Sequence, residues 1–377
     1  MNHKPKIFIA GGGIAGLTLS LFLDPERYAV HIFEKKQVFT EVGAAISVFP
    51  NALAVLDSVG LLQDILVVSG EITNSSGKTW NGKSLVNTAF KSEYPIICMH
   101  RSDLHHTLLK HTKAKLYAEK EIIGYENQIN NVLVKFSDGT IDYCDLLIGA
   151  DGLHSKIREQ MIHDGDPVYR GSNIWRGVVK SNFSDGYASE TWGHGKRVGI
   201  VPIKDGYFGW WATIPEDQFT EDLPTTSEKL KAAFADWHNP IPEFIQNTEH
   251  IIKNALVDRK IVNGWSDGRV VLIGDAAHPT TPNLGQGGCM AMEGAQTLAL
   301  CIEKYGISKE ALDRYEILHF PRAKQIVNDS LRFGKLAALS NSVAISLRNI
   351  AFKITPSFIS QKLFDSYFNY RVGNLKI

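Results

Sequence analysis

Residues 8 to 23 read FIAGGGIAGLTLSLFL, and how they are read decides how this chain begins. Lys4 and Lys6 precede them, so a secretory leader is one reading, a charged start before an apolar run. Gly11, Gly12 and Gly13 interrupt the helix that a leader needs, and Asp24-Pro25-Glu26-Arg27 follows with no small-residue cleavage site. The second reading accounts for each of these residues. Lys6 to Ala10 is a short apolar strand, Gly11-x-Gly13-x-x-Gly16 is a tight turn, and Ile14 to about Leu23 is a helix. A further strand, Tyr28 to Phe33, ends at the acid Glu34, followed by Lys35. In this context Gly11 permits the turn, Gly13 lets the backbone approach a pyrophosphate, and Gly16 brings helix and strand close. The helix start at Ile14 and Ala15 offers free N–H groups and a partial positive charge to phosphates. Glu34 is placed to hold a ribose. The pattern predicts a dinucleotide site without choosing between NAD and FAD.

Composition narrows the function classes. The chain has 377 residues, enough for more than one domain, with 44% hydrophobic and 21% charged residues. Forty Lys and Arg balance 40 Asp and Glu, so no overall field attracts nucleic acid or acidic lipid. Cys98, Cys144, Cys289 and Cys301 show no paired spacing, which argues against a zinc site or a disulfide framework and fits a cytoplasmic protein. No metal site is expected.

Two further motifs stand far downstream. CDLLIGADGLHSKIRE, residues 144 to 159, is an apolar strand ending at Asp151-Gly152, with Ser155 placed to cap a helix from about Lys156. GRVVLIGDAAHPTTPNLGQGGCMAMEGAQTLAL, residues 268 to 300, is another buried strand, ending at Gly274-Asp275. A loop with Pro279 and Pro282 follows, then Gly285-Gln286-Gly287-Gly288 and a helix from about Cys289 to Glu303. An acid at a strand end suits a polyol hydroxyl, and a helix N-terminus suits a nearby anion. Together these fit a flavin with its ribityl chain. His278 reads as a structural member of the turn.

In this order the three motifs resemble the single-component FAD-dependent aromatic hydroxylases, the para-hydroxybenzoate hydroxylase-like flavoprotein monooxygenases. The likeness covers roughly residues 5 to 330. It implies an α/β fold, with a Rossmann-like FAD-binding domain, a discontinuous mixed-sheet substrate domain and a C-terminal helical tail. It assigns Gly11, Gly13, Gly16 and Glu34 to the ADP part of FAD. Asp151-Gly152 matches the family's DG motif, Gly274-Asp275 its GD motif, and Arg101 in MHRSDLHHTLL an Arg that contacts FAD. EVGAAISVFPNAL (residues 41 to 53) and TTPNLGQGGCMAMEGA (residues 280 to 295) look most like FAD-dependent urate hydroxylases, with salicylate hydroxylase-like and zeaxanthin epoxidase-like members close behind. That likeness puts Gly43, Ala44 and Ala45, and Pro282, Gly285, Gly287 and Gly288, beside the flavin.

The stretch GHGKRVGIVPIKDGYFGWWATIP, residues 193 to 215, reads as a hairpin about Lys204-Asp205-Gly206. A three-residue loop would oppose Arg197 to Thr213, Gly199 to Trp211 and Val201 to Gly209, and put Arg197, Tyr207, Gly209 and Trp211 on one face. Arg197 falls where urate hydroxylases bind substrate; the partner tyrosine of that subgroup falls at Gly209, leaving Tyr207 as a substitute or space for a larger ring. The expected catalytic set is Arg197, Tyr207, Trp211, Pro282 and Gly285.

The expected organisation is an FAD domain of residues 1–70, 95–170 and 260–330, a substrate domain of 71–94 and 171–259, and a tail of 331–377. The tail is expected as two helices, about Ser330 to Phe352 and Pro356 to Tyr370, packed on the protein or on a second subunit rather than on a membrane. A monomer or homodimer is expected. The resemblance implies that NADPH or NADH reduces FAD, that O2 forms a flavin C4a-hydroperoxide, and that one oxygen passes to a small aromatic or heteroaromatic substrate. Oxygenation of a larger polycyclic or isoprenoid compound (tetracycline-inactivating or epoxidase-like) and a non-oxygenating FAD reductase stay open as alternatives.

Overall fold

The strand Lys6–Ala10 is enclosed from Ile7 onward, and the larger part of the core is arranged around it. The structure is a computed structural model and describes residues 4–39, 44–89, 91–183, 187–217 and 226–377. Lys6–Ala10 sits in a six-stranded sheet of order Ser266–Asp267, Val270–Leu272, Leu146–Gly149, Lys6–Ala10, Ala29–Phe33, Lys115–Tyr117. Every neighbouring pair is parallel except the Ser266–Asp267 edge. The segments IFIA (residues 7–10) and LLIG are unbroken apolar runs because such a sheet is covered on both faces.

Register positions the site. Phe33, Ala10, Gly149 and Leu272 lie at one level across four adjacent strands. The chain therefore leaves the same edge of the sheet at Glu34, Gly11, Ala150 and Ile273. The three sequence motifs, far apart along the chain, become neighbours at the carboxyl ends of parallel strands, where such sheets bind ligands.

A second, mixed sheet has the order Ile252–Asp258, Val168–Lys180, Tyr207–Pro215, Arg197–Pro202, Tyr187–Trp192, Asn74–Thr79, Ser84–Ala89. Tyr187–Trp192 and Asn74–Thr79 run parallel, and the other pairs antiparallel. Trp175, Phe208 and Trp210 of this sheet pack against Leu230, Phe234 and Phe244. A small antiparallel sheet is formed by Ala45–Val48, Ile96–His100 and Gly70–Ile72, and Ala45 meets the second sheet at Gly209.

The end of the chain differs from expectation. The helix expected over 330–352 is the last part of Lys309–Ala337 followed by a separate helix, Ser342–Ile354, so the boundary expected at 330 falls inside a helix. Asn341 makes the break: its side-chain oxygen accepts the N–H groups of Val343 and Ala344 and starts a new helix. Ser357–Phe368 follows, with Pro356 at its N-cap. Phe352 stacks on Trp192 and Phe368 on Phe49, tying these helices inward. Arg322 of the long helix pairs with the fully buried Glu293 at 3.1 Å and donates to the Ser366 and Tyr367 carbonyls at 2.8 and 2.6 Å. Asn51 links the same Glu293 to Gln286. Outward, the last two helices expose Val343, Leu347, Ile350, Ile354, Phe358 and Leu363. Among the described residues no helix is long and apolar enough to cross a membrane.

Candidate active site

Two cavities run along the carboxyl edge of the parallel sheet and share Gly13, Ala150 and Gly152. The smaller, about 200 Å³, lies against Gly11, Glu34, Lys35 and Asp151. The larger, about 360 Å³, lies against Ile14, Ala15, Ala45, Arg101, Asp275, Pro282, Gly285, Gly287 and Gly288.

Gly11 has φ +104°, and a Cβ there would stand 2.4 Å from the Ala150 carbonyl oxygen, so the first motif passes under the second only as glycine. Gly16 packs on the Gly11 carbonyl. Glu34 accepts the Gly12 N–H at 2.9 Å and the Lys36 N–H at 3.0 Å, which fixes its carboxylate at the rim of the smaller cavity. Asp151 accepts the Lys156 N–H through one oxygen at 2.8 Å, while its other oxygen is buried with no partner. Burial pushes the Asp151 carboxyl up, against the hydrogen bonds from Ser155 and the Ile157 and Lys156 backbone. Ser155 caps Lys156–Ile162 by accepting the Arg158 N–H at 2.9 Å.

Gly274 has φ +58°, and a Cβ there would meet Ala15 Cβ at 2.7 Å, so the third motif leans directly on the helix of the first. The helix Gly287–Tyr305 begins at the larger cavity and turns its free N–H groups and positive end toward it. His278 is buried with Nε2 3.2 Å from His319 Nε2, and burial pushes it down to about 4, so it is a neutral part of the turn.

In the hairpin, Arg197 opposes Thr213, Gly199 opposes Trp211 and Val201 opposes Gly209, and the Ile203 N–H donates to the Tyr207 carbonyl at 2.7 Å. Arg197 and Trp211 both reach the larger cavity, with the guanidinium 4.8 Å from the indole centre. The charge of Arg197 is already compensated: it pairs with Glu190 at 3.1 Å and donates to Asn283. Burial lowers its pKa and Glu190 opposes that shift.

Two expectations fail here. Gly209 leaves no space for a larger ring, because a Cβ there would lie 2.2 Å from Ala45 Cβ; the strand Ala45–Val48 already fills the place. Tyr207 does not line the cavity. Tyr207 is 38% exposed and packs edge-on against His100, with ring centres 6.0 Å apart. Ala44 is buried behind the lining, where its carbonyl accepts the Arg101 N–H at 3.1 Å; Gly43 lies outside the described residues.

Sequence reasoning missed several residues. His105 lines the smaller cavity with Nε2 2.7 Å from the Gly12 carbonyl oxygen. Arg176 lines the larger one, and burial together with Arg101 lowers its pKa. Alternation in NIWRGVV, which puts Ile174 and Arg176 on one face, was the available signal for it. Glu190 and Asn283 carry no local signal at all.

The residues fit an extended ligand with phosphates in its middle. Glycine turns and a helix start lie at the junction of the cavities, acids stand on either side, and the orphaned Asp151 oxygen awaits a donor. A family model described as an FAD binding domain matches residues 4–330. The chain belongs to the FAD binding domain family. Among its relatives, the aurachin C monooxygenase/isomerase of Stigmatella aurantiaca is 36% identical over 360 residues, covering 92% of this chain and 94% of that one. The 3-amino-4-hydroxybenzoate 2-monooxygenase of Streptomyces cremeus is 31% identical over 343 residues, covering 86% of each. The crystal structure of Klebsiella pneumoniae HpxO complexed with FAD and uric acid matches with a TM-score of 0.90 at 24% identity, over 98% of this chain and 97% of that one, a likeness of fold. This FAD binding domain protein is thus an α/β flavoprotein monooxygenase of the aromatic hydroxylase group.

Proposed function

We propose that this protein uses NAD(P)H and O2 to hydroxylate an aromatic or heteroaromatic compound. The overall balance is ArH + O2 + NAD(P)H + H⁺ giving ArOH + H2O + NAD(P)⁺. The observation that supports the reading is the meeting of Arg197, Trp211 and the Pro282–Gly288 turn on one cavity, at the carboxyl ends of three adjacent parallel strands. Bound FAD supplies the redox chemistry, accepting hydride from NAD(P)H and activating O2. The Gly11–Gly16 turn would hold its pyrophosphate, Glu34 the adenosine ribose and Asp275 the ribityl chain. The N-terminus of Gly287–Tyr305 stabilises negative charge near the ring. Trp211 stacks on the substrate ring, and Arg197 orients its polar group through a guanidinium that Glu190 already balances. The four buried, unpaired cysteines support a reducing compartment, the cytoplasm.

A second reading, oxygenation of a larger polycyclic or isoprenoid compound, is favoured by a cavity beyond Trp211. The test of the main reading is direct. The purified protein is checked for FAD, and NADH and NADPH oxidation is followed with 3-amino-4-hydroxybenzoate, urate, salicylate, kynurenine and a tetracycline. Stimulated oxidation with a product heavier by one oxygen atom is expected. Bound FAD with no stimulation by any aromatic compound would shift the reading to a non-oxygenating reductase.

A further inference from the structure

A third cavity, about 280 Å³, adjoins the one assigned to flavin and substrate. The two share Trp211 and Ser47, which stand at the boundary between them. The indole lies on Gly199, where a Cβ would stand only 2.3 Å from the ring. Beyond it the walls are Ile72, Val86, Ile96 and Val201, with Ser75, Ser76 and Ser189 beside them, the Ser76 hydroxyl buried without a hydrogen-bond partner. The carboxylate at the edge, Glu190, is engaged by Trp192 Nε1 at 2.7 Å and by Arg197 at 3.1 Å, so no uncompensated charge faces the space. Two of its lining aromatics are backed by the C-terminal helices: Trp192 by Phe352 with ring centres 4.9 Å apart, and Phe49 by Phe368 at 4.3 Å. The aliphatic and aromatic part of this wall gains from contact with hydrocarbon.

We propose that this chamber receives an apolar chain, alkyl or isoprenoid, carried by the aromatic ring that Arg197 and Trp211 position. The inference rests on the monooxygenase reading and names its substrate class: an aromatic head with a hydrocarbon tail. It unites three observations, namely the charge-compensated Arg197, the indole at the boundary, and a mainly apolar space adjoining the reacting one.

The test measures binding of phenol and of 4-ethyl-, 4-butyl- and 4-heptylphenol to the flavin-loaded enzyme by calorimetry, a readout independent of turnover. Affinity is expected to rise about fourfold per added methylene until the chamber is full. Ala188→Phe and Val86→Phe each narrow the chamber and are expected to flatten that dependence relative to phenol itself. Using two variants guards against one that does not fold. Affinity independent of chain length, no binding by any member, or an unchanged dependence in both folded variants overturns the inference. Flavin content and substrate-stimulated NAD(P)H oxidation on the same preparation report on the monooxygenase reading. An enzyme that oxidises NAD(P)H with chainless aromatics but shows no chain dependence overturns the substrate class alone.

Discussion

The two large sheets build their sides of the site by different means. On the parallel sheet the cofactor side is made of backbone: turns after Ala10, Gly149 and Leu272, helix starts, and glycines that let chain pass chain. On the mixed sheet the substrate side is made of side chains that meet across long sequence distances, such as Arg197 with Asn283 and Ala45 over Gly209. Backbone geometry is specified locally and tolerates almost no Cβ. Side-chain geometry is specified by packing and tolerates exchange at moderate cost.

Four substitutions test that contrast, taken from the largest expected effect downward. Gly11→Val combines a left-handed backbone with a clash on the Ala150 carbonyl. A loss on the order of 4 kcal/mol or more is expected, seen as protein that purifies without flavin or does not fold. A yellow, stable variant would break the contrast at its strongest point. Arg197→Gln strands the Glu190 carboxylate while leaving the cofactor turn intact. Substrate-stimulated oxidation should fall about 10- to 100-fold in kcat/KM with flavin absorbance retained. Equal loss of flavin would mean that the two sides are not separable. Gly209→Ala places a methyl group against Ala45 and should cost about 1–3 kcal/mol in thermal unfolding, whatever the substrate. An unchanged midpoint would show that the strand Ala45–Val48 yields freely. Tyr207→Phe, at the exposed rim, should change stability by no more than about 0.5 kcal/mol and leave the kinetics unaltered. A clear kinetic effect would bring Tyr207 back into the site.

The same contrast explains what was legible. Glycine spacing, the acids at strand ends and the Ser155 cap are local signals, and each lies where its motif implies. Hairpin register followed from loop length, because a period of two leaves little freedom. The filling of the space at Gly209 did not follow, since it depends on a strand more than a hundred residues earlier crossing there. The tail helices were misdivided because Lys309–Ala337 runs through 330 and stops at Ala337, while the new start at Asn341 has no glycine or proline beside it. Glu190 and His105 were invisible because an ion pair or a carbonyl contact leaves no periodicity.

The node of Glu293 and Arg322 also has an order in time. As the chain is synthesised, Glu293 and the Gln286 turn tied to it through Asn51 exist before Ser366 and Tyr367 do. Only when those two carbonyls arrive are the last donors of Arg322 occupied. The turn at the larger cavity therefore gains its final brace near the close of translation, and a chain interrupted before residue 366 would carry the three glycine and acid motifs yet lack the piece that steadies them.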